Sequence, residues 1–279
     1  MVEHHFIAQS ILERFLANCG ERVWRFHPQY GNGKPTKRPR RKTFSETDKN
    51  FFVLPNGSLS PMPEEKITEL DIEWLAFTNG VIEQATRNEE PKFNDRYAME
   101  LFQWHTTRSP HFEANLNTEA AIASKVAEFK RLFGEPKNRG ALDHFERFGA
   151  NNVLAELRDR EPAARSVDRI FGDKFEPVIF QIVGENVERF ILGSNIWTVA
   201  GNLDFPMHIM PFSPEFALAI VPKFAPGKLL KIDDHQSEIV EQANRCMASQ
   251  SSLAIVGVEP DILQALSRLV PNRKTSNRP

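Results

Sequence analysis

The pattern of hydrophobic and polar positions changes twice along the chain and so divides it into three regions. The first region, residues 1–62, begins with apolar side chains at helical spacing, which predict a helix over residues 5–18. Alternating apolar residues then predict strands over 22–26 and 51–54, with a basic loop between them. In the second region, residues 63–175, apolar positions recur about every 3.6 residues, which is typical of amphipathic helices.

Short apolar runs dominate the third region, residues 176–271. They predict strands over 178–183, 189–192, 197–200, 208–210 and 217–221. Turn residues between these runs favour antiparallel pairing. We expect a further strand over 253–256, between a helix from about Gln236 and one that begins at Glu259-Pro260.

The sequence therefore predicts a single α+β domain. Its helical middle region packs on a mainly antiparallel C-terminal sheet with flanking helices, and the polar tail, residues 272–279, is expected to fray. We expect the N-terminal helix to lie where the helical region and the sheet meet.

Composition narrows the possible partners. The 279 residues include 35 Lys and Arg against 37 Asp and Glu, a formal net charge of −2, so any contact with a polyanion must be local. Two cysteines and an N-terminus without a signal-peptide pattern predict a reducing cytoplasm. No apolar run reaches the length of about 18 residues that spans a bilayer, so we expect no membrane partner.

The densest positive charge lies in residues 34–42, which we call the basic segment. Its cations are Lys34, Lys37, Arg38, Arg40, Arg41 and Lys42. Prolines favour an extended backbone here, and the cations could neutralise several phosphates in an interaction that weakens steeply with salt. A solvated surface loop is the alternative interpretation. The segment is the candidate contact for nucleic acid or a nucleotide.

Histidine and arginine supply the other candidate chemistry. The pair His4-His5 opens the predicted N-terminal helix and could provide a general base or a metal ligand, or simply a helix entry. Arg108 lies near the end of a predicted helix, within about a turn of Gln103. An arginine there could grip a phosphate or carboxylate with two hydrogen bonds, or cap the last helix carbonyls.

Two polar turns follow predicted strands. Ser194-Asn195 ends one strand, and Pro211-Phe212-Ser213-Pro214 separates two others. Polar groups at strand ends are frequent site positions because the sheet holds them rigidly, although each alone is more often ordinary turn chemistry. The sequence contains no phosphate-binding P-loop, nucleophile elbow, zinc-protease helix or paired-cysteine knuckle.

Taken in order, these segments resemble the domain-of-unknown-function family 4238 over nearly the whole chain. The family's opening "HHYVPxxYLxxF … LWVYD" is similar to His4-His5-Phe6 through Phe15 followed by Val23–Phe26. Its "Q…RTP" element is similar to Gln103 with Arg108-Ser109-Pro110, and its "FxTSDNP" turn to Phe190–Asn195. Its "PLSP" is similar to Pro211–Pro214, and an asparagine in its late helix to Asn244. The resemblance implies that these distant polar positions form one site. The family's proline after the histidine pair is replaced by Ala8 or is absent, and Asn195 replaces a family aspartate, which would alter or abolish any metal-binding or general-base role there.

The leading hypothesis is a cytoplasmic hydrolase that acts on a phosphodiester or a nucleotide, such as a nuclease-like effector of phage defence or of a toxin system. The candidate catalytic residues are His4, His5, Gln103, Arg108, Ser194 and Asn195. In this scheme the histidines act as base or ligand of a divalent metal, the arginine stabilises charge developing on phosphate, the glutamine positions the substrate, and the Ser-Asn turn supplies hydrogen bonds. The alternatives are a non-catalytic adaptor that binds a protein partner and a nucleotide-modifying transferase.

Overall fold

The computed structural model describes residues 3–5, 7–17, 20–47, 52–53, 59–60, 62–106, 123–124, 127, 130–131, 167–202, 204–223 and 227–271. Its α-helices are α1 (Gln9–Arg14), α2 (Met62–Thr86), α3 (Asp95–Thr106), α4 (Ser237–Gln250) and α5 (Pro260–Leu266). Its strands are β1 (Glu3–His5), β2 (Arg22–Phe26), β3 (Thr36–Pro39), β4 (Ser45–Thr47), β5 (Phe52–Val53), β6 (Leu59–Ser60), β7 (Phe175–Ile182), β8 (Leu192–Gly193), β9 (Thr198–Gly201), β10 (Pro206–Pro211), β11 (Phe216–Pro222), β12 (Leu229–Ile232) and β13 (Ile255–Gly257).

The strands form two main sheets, and the predicted α+β class is confirmed. One sheet has the order β12-β7-β11-β10-β9 and the other β3-β2-β13-β8. Every pair in them is antiparallel except β12 with β7, which is parallel. Two small pairs, β1 with β4 and β5 with β6, lie outside these sheets.

The five-stranded sheet is buried on both faces, which explains the continuous apolar run in its central strand β11. Leu218 and Ile220 face the cluster that contains residues of α2 and α3, whereas Ala217 and Ala219 face the cluster that contains residues of α4. Because neighbouring side chains of a strand point to opposite faces, a strand covered on both sides needs apolar residues at every position.

The four-stranded sheet joins the two ends of the chain. β13 lies between β2 and β8, with Ile255 opposite both Phe26 and Gly193. Helix α5 covers this sheet through Leu263 and Leu266. Strand β13 confirms the strand expected near 253–256, but its pairing with the N-terminal strand β2 could not be read from the spacing of residues.

Two boundaries of the prediction, one near each end of the chain, are wrong. The helix expected over 5–18 is shorter, because residues 3–5 form β1 and pair with β4, with His5 opposite Ser45. The histidine pair therefore lies in a strand and not at a helix entry. The strand expected over 189–192 begins at Leu192, because the residues before it hydrogen-bond to the side chain of Asn244 instead of a neighbouring strand.

Helix starts follow local rules. The Asn94 side chain accepts a hydrogen bond from the Tyr97 N–H at 2.9 Å and so caps the first turn of α3. Pro260 occupies the first turn of α5, as predicted, where the N–H that proline lacks would have no partner. In the described part of the chain, no helix is long and apolar enough to cross a membrane. The tail, residues 272–279, lies outside the described residues.

Candidate functional site

The basic segment folds as the outer strand of the four-stranded sheet. Thr36–Pro39 form β3 against β2, and Arg40–Lys42 follow as a single 3₁₀ turn. The exposed cations of the segment are Lys34, Lys37, Arg38, Arg41 and Lys42, and Arg40 is partly buried. The extended backbone expected from the prolines is therefore found in β3. The basic loop predicted here is wrong for Thr36–Pro39, because these residues pair with β2.

Carboxylates neutralise little of this charge. Arg40 pairs with Glu13 at 2.9 Å, and among the described residues it is the single cation of the segment with a carboxylate partner. The ammonium of Lys37 lies 4.8 Å from the centre of the Trp24 ring, where a cation is attracted to the π-electrons. The remaining cations face solvent.

The N-terminal strand and helix hold the turn of the basic segment. His5 Nε2 donates to the Arg41 carbonyl at 2.9 Å, and the Gln9 side chain donates to the Arg40 carbonyl at 3.4 Å. His5 therefore positions the basic turn through a backbone contact. His4 lies beside it in β1, opposite Glu46, and its side chain lies outside the described residues.

Arg14 joins three elements, and sequence reasoning missed it. Its guanidinium donates to Thr78 Oγ1 at 2.9 Å, to Asn79 Oδ1 at 2.7 Å and to the Phe212 carbonyl at 3.2 Å. Burial lowers the pKa of Arg14 from its usual value, and its guanidinium carbon lies 5.9 Å from the centre of the Phe212 ring. Its position three residues after the buried Ile11 was the available signal, because that spacing turns the arginine towards the core.

The C-terminal turn of α3 lies near this junction and buries three polar side chains: Gln103, His105 and Thr106 are 9%, 1% and 5% exposed. The His105 ring centre is 4.8 Å from that of Trp74, which in turn lies 6.0 Å from the Phe212 ring. Gln103 thus lies in the buried end of α3. Arg108 lies outside the described residues.

Ser194 and Asn195 form a structural link between the β8–β9 turn and the loop after α4. Ser194 Oγ accepts from the Leu253 N–H at 3.1 Å, and Asn195 Nδ2 donates to the Gln250 carbonyl at 2.9 Å. Both residues are buried. In the described part of the chain, these contacts do not involve His5 or Gln103, so the structure places the candidate residues in separate hydrogen-bonded groups.

One face of the β2–β3 hairpin carries a second group that the sequence search missed. Arg25, His27 and Arg38 share this face, and burial together with the two arginines lowers the pKa of His27 from 6.5 to about 4. Burial and the charge of Arg38 also lower the pKa of Arg25. Three basic side chains thus lie together on this face, and no described carboxylate offsets their effect on each other's pKa.

The described residues contain no group of three or more His, Cys, Asp or Glu side chains that could hold a metal ion. The divalent metal considered from the sequence therefore stays a prediction.

Comparison with protein families gives a match over most of the chain. The profile of the family described as "Protein of unknown function (DUF4238)" matches residues 3–260. No curated protein and no solved structure matches the chain.

Proposed function

Since this chain belongs to the DUF4238 family, whose description assigns no activity, we propose from its own geometry that it binds nucleic acid or a related polyphosphate through the basic segment. The observation that carries this proposal is the row of exposed cations at 34, 37, 38, 41 and 42, for which the described residues offer no carboxylate. Phosphate contacts supply most of the affinity of sequence-independent nucleic-acid binding.

The backbone that carries these cations is held in place by its neighbours, which strengthens the proposal. Strand β3 is paired along its length with β2, and the turn after it is held by His5, Gln9 and the Arg40–Glu13 ion pair. A cationic surface on a fixed backbone loses less conformational entropy on binding than the same charges on a free loop. The near-neutral net charge of the whole chain keeps the attraction local.

Filter binding tests the proposal with a single-stranded RNA, a single-stranded DNA and a duplex of equal length, each at two salt concentrations. The variant K34Q/R41Q/K42Q removes three exposed cations of the segment, and K223Q/R245Q/R268Q removes three cations elsewhere. We expect the first variant to bind more weakly and to lower the slope of log affinity against log salt by about 0.7 to 0.9 for each lost phosphate contact. Equal affinities of the two variants, or affinity of the wild type that does not respond to salt, would contradict the proposal.

A second candidate function is hydrolysis of a phosphodiester or a nucleotide. The buried polar end of α3 favours it, because Gln103 and His105 lie there within five residues of Arg108. Buried titratable groups in a polar cluster are typical of catalytic sites. This candidate does not need Ser194 and Asn195, whose side chains bond to the loop after α4.

Turnover assays test this second candidate with RNA, DNA and nucleotides, with and without Mg²⁺ or Mn²⁺. The variants are H105Q and R108A, and the matched control is H235Q, which changes an exposed histidine. We expect turnover by the wild type and the control and a loss of at least about a hundredfold in both test variants, at unchanged nucleic-acid affinity. Absence of turnover by the wild type, or equal turnover by all variants, would remove hydrolysis and leave the binding function.

A further inference from the structure

The face of the hairpin that carries Arg25 combines positive charge with an exposed aromatic ring. In the register of β2 and β3, Arg25 lies opposite Thr36 and Val23 opposite Arg38. Arg25 and Arg38 are therefore diagonal neighbours on one face of the sheet, within reach of each other's long side chains. His27 follows two residues after Arg25, and a single β-bridge places Tyr30 opposite His27.

Among the residues that the structure describes, Arg25 has no carboxylate partner. Its side chain is partly buried, and its Nε atom is fully buried with no hydrogen-bond acceptor among the described residues. Burial and the charge of Arg38 lower the pKa of Arg25. An arginine that is partly desolvated beside a second arginine gains free energy when an anion binds between them, because the anion supplies both the missing acceptors and the missing charge.

His27 and Tyr30 extend the same surface. His27 Nδ1 accepts a hydrogen bond from the Gln29 N–H at 3.1 Å, so in the neutral ring the proton is on Nε2, which can donate. The two ring centres lie 4.4 Å apart, and Tyr30 is 56% exposed. One side of the tyrosine ring is thus supported by protein while much of the residue faces solvent.

We propose that Arg25, Arg38 and His27 bind one phosphate of a single-stranded nucleic acid, and that a neighbouring base of that strand stacks on Tyr30. This inference rests on the proposed nucleic-acid binding and names its ligand. An aromatic ring can stack on a base only where the base is not stacked within a duplex, and proteins that hold single strands combine such rings with a cationic groove. The opposite face of the hairpin carries Trp24 with Lys37 above its ring, so the two faces are chemically different.

Fluorescence anisotropy with a short oligo(dT), a duplex of the same length and inorganic pyrophosphate as competitor tests the inference. The variants are R25M, R38Q and Y30A, and the controls are Y30F, which keeps the ring, and K223Q, which removes an exposed cation outside the basic segment. We expect the single strand to bind more tightly than the duplex, and about tenfold weaker binding in Y30A with little change in Y30F. R25M and R38Q should each bind about tenfold more weakly and resist competition by pyrophosphate. K223Q should bind as tightly as the wild type and stay sensitive to pyrophosphate.

The outcomes separate the two proposals. Equal affinity for duplex and single strand, wild-type affinity of Y30A, or wild-type affinity of R38Q would overturn the phosphate-and-base site. R38Q changes an exposed residue, so this result does not depend on whether R25M folds. If K34Q/R41Q/K42Q loses binding while the variants of this face retain it, the inference fails and the proposed function stands. If the wild type binds no nucleic acid of any kind, both fail.

Discussion

Asn244 fixes the backbone of Ile191: its side-chain oxygen accepts a hydrogen bond from the Ile191 N–H at 3.0 Å. The amide nitrogen of Asn244 donates to the Arg189 carbonyl at 3.0 Å and to Glu188 Oε2 at 3.2 Å. The residue is 1% exposed, so these bonds form away from water. One buried side chain of α4 therefore replaces the strand pairing that the sequence predicts for residues 189–191.

Substitution of Asn244 should destabilise the fold. N244A leaves the Ile191 N–H and the Arg189 carbonyl without their side-chain partner, and we expect a loss of about 2 kcal/mol in the free energy of unfolding. N244D should lose more, because it removes the donor and places a carboxylate beside Glu188. Urea unfolding measures both, with the exposed Glu241→Ala on the same helix as control. Wild-type stability of N244D would show that these bonds are not needed.

The aspartate expected from the family resemblance should be unfavourable at position 195. Asn195 is buried and donates to the Gln250 carbonyl at 2.9 Å, and a carboxylate could not donate there. We expect N195D to lose about 2 kcal/mol or more, and N195A to lose less, because alanine buries no charge. Urea unfolding at neutral pH measures the difference. If N195D is as stable as the wild type, the asparagine is not a structural requirement of this chain.

Arg14 should matter for stability more than an exposed arginine. R14M removes the donors to Thr78, Asn79 and the Phe212 carbonyl, and we expect a loss of about 2 to 3 kcal/mol. R14K keeps the charge and should recover part of this. The control is Arg87→Lys at an exposed ion pair with Glu83, which should change stability by less than about 0.5 kcal/mol. Equal effects at the two sites would contradict the role of Arg14 as a junction.

Alanine substitution at two glycines distinguishes the free-energy cost of a strained backbone from the cost of a steric clash. Gly20 has φ +89°, and no described atom beyond its chain neighbours lies within 4 Å of the place that a Cβ would take. At Gly201, with φ +90°, a Cβ would collide with the Phe205 carbonyl oxygen. We expect G20A to cost about 1 to 2 kcal/mol, the penalty for the left-handed region. G201A should cost about 3 kcal/mol or more, because backbone atoms must also move. Thermal unfolding of both variants compares them, and equal losses would show that the clash relaxes freely.

The stability of the fold should fall in weak acid, in part through His27. Burial and the charges of Arg25 and Arg38 lower the pKa of His27 from 6.5 to about 4 in the folded state. Between these two values the unfolded chain binds more protons than the folded one, so the contribution of His27 to stability is complete above pH 6.5 and is lost as the pH falls towards 4. H27Q should reduce the slope of stability against pH in this window. An NMR titration of His27 with a midpoint near its ordinary value would contradict the prediction.

Local signals predict elements reliably where the pattern lies within the element's own segment. Helices α2 and α3, the start of α5 at Pro260, and the central strand β11 all follow from apolar spacing or turn residues in their own segments. The histidine pair failed as a helix signal because a strand of three residues is too short to show a period. Its conformation depends on pairing with β4, about 40 residues away.

In the candidate site, too, the features that depend on neighbouring residues were predicted and those that depend on distant contacts were not. The sequence identified the basic segment, because six cations in nine residues are visible without a structure. It missed Arg14, since a single arginine in an amphipathic helix gives no sign of what it touches until α2 and the β10–β11 turn lie against it. The catalytic roles assigned to Ser194 and Asn195 stay a prediction. What the sequence could not show is that these side chains bond to Leu253 and Gln250, because those contacts arise from folding of the C-terminal region.

By itself the sequence determined the α+β class, most helices and strands, and the place of concentrated positive charge, since these depend on spacing and composition over a few residues. Only the tertiary structure decided that β13 joins the N-terminal hairpin and that Arg25, His27, Tyr30 and Arg38 share one face. The physical reason is that strand pairing and buried polar contacts form between residues far apart in the chain. Their free energy depends on which surfaces meet, and no local pattern contains that information.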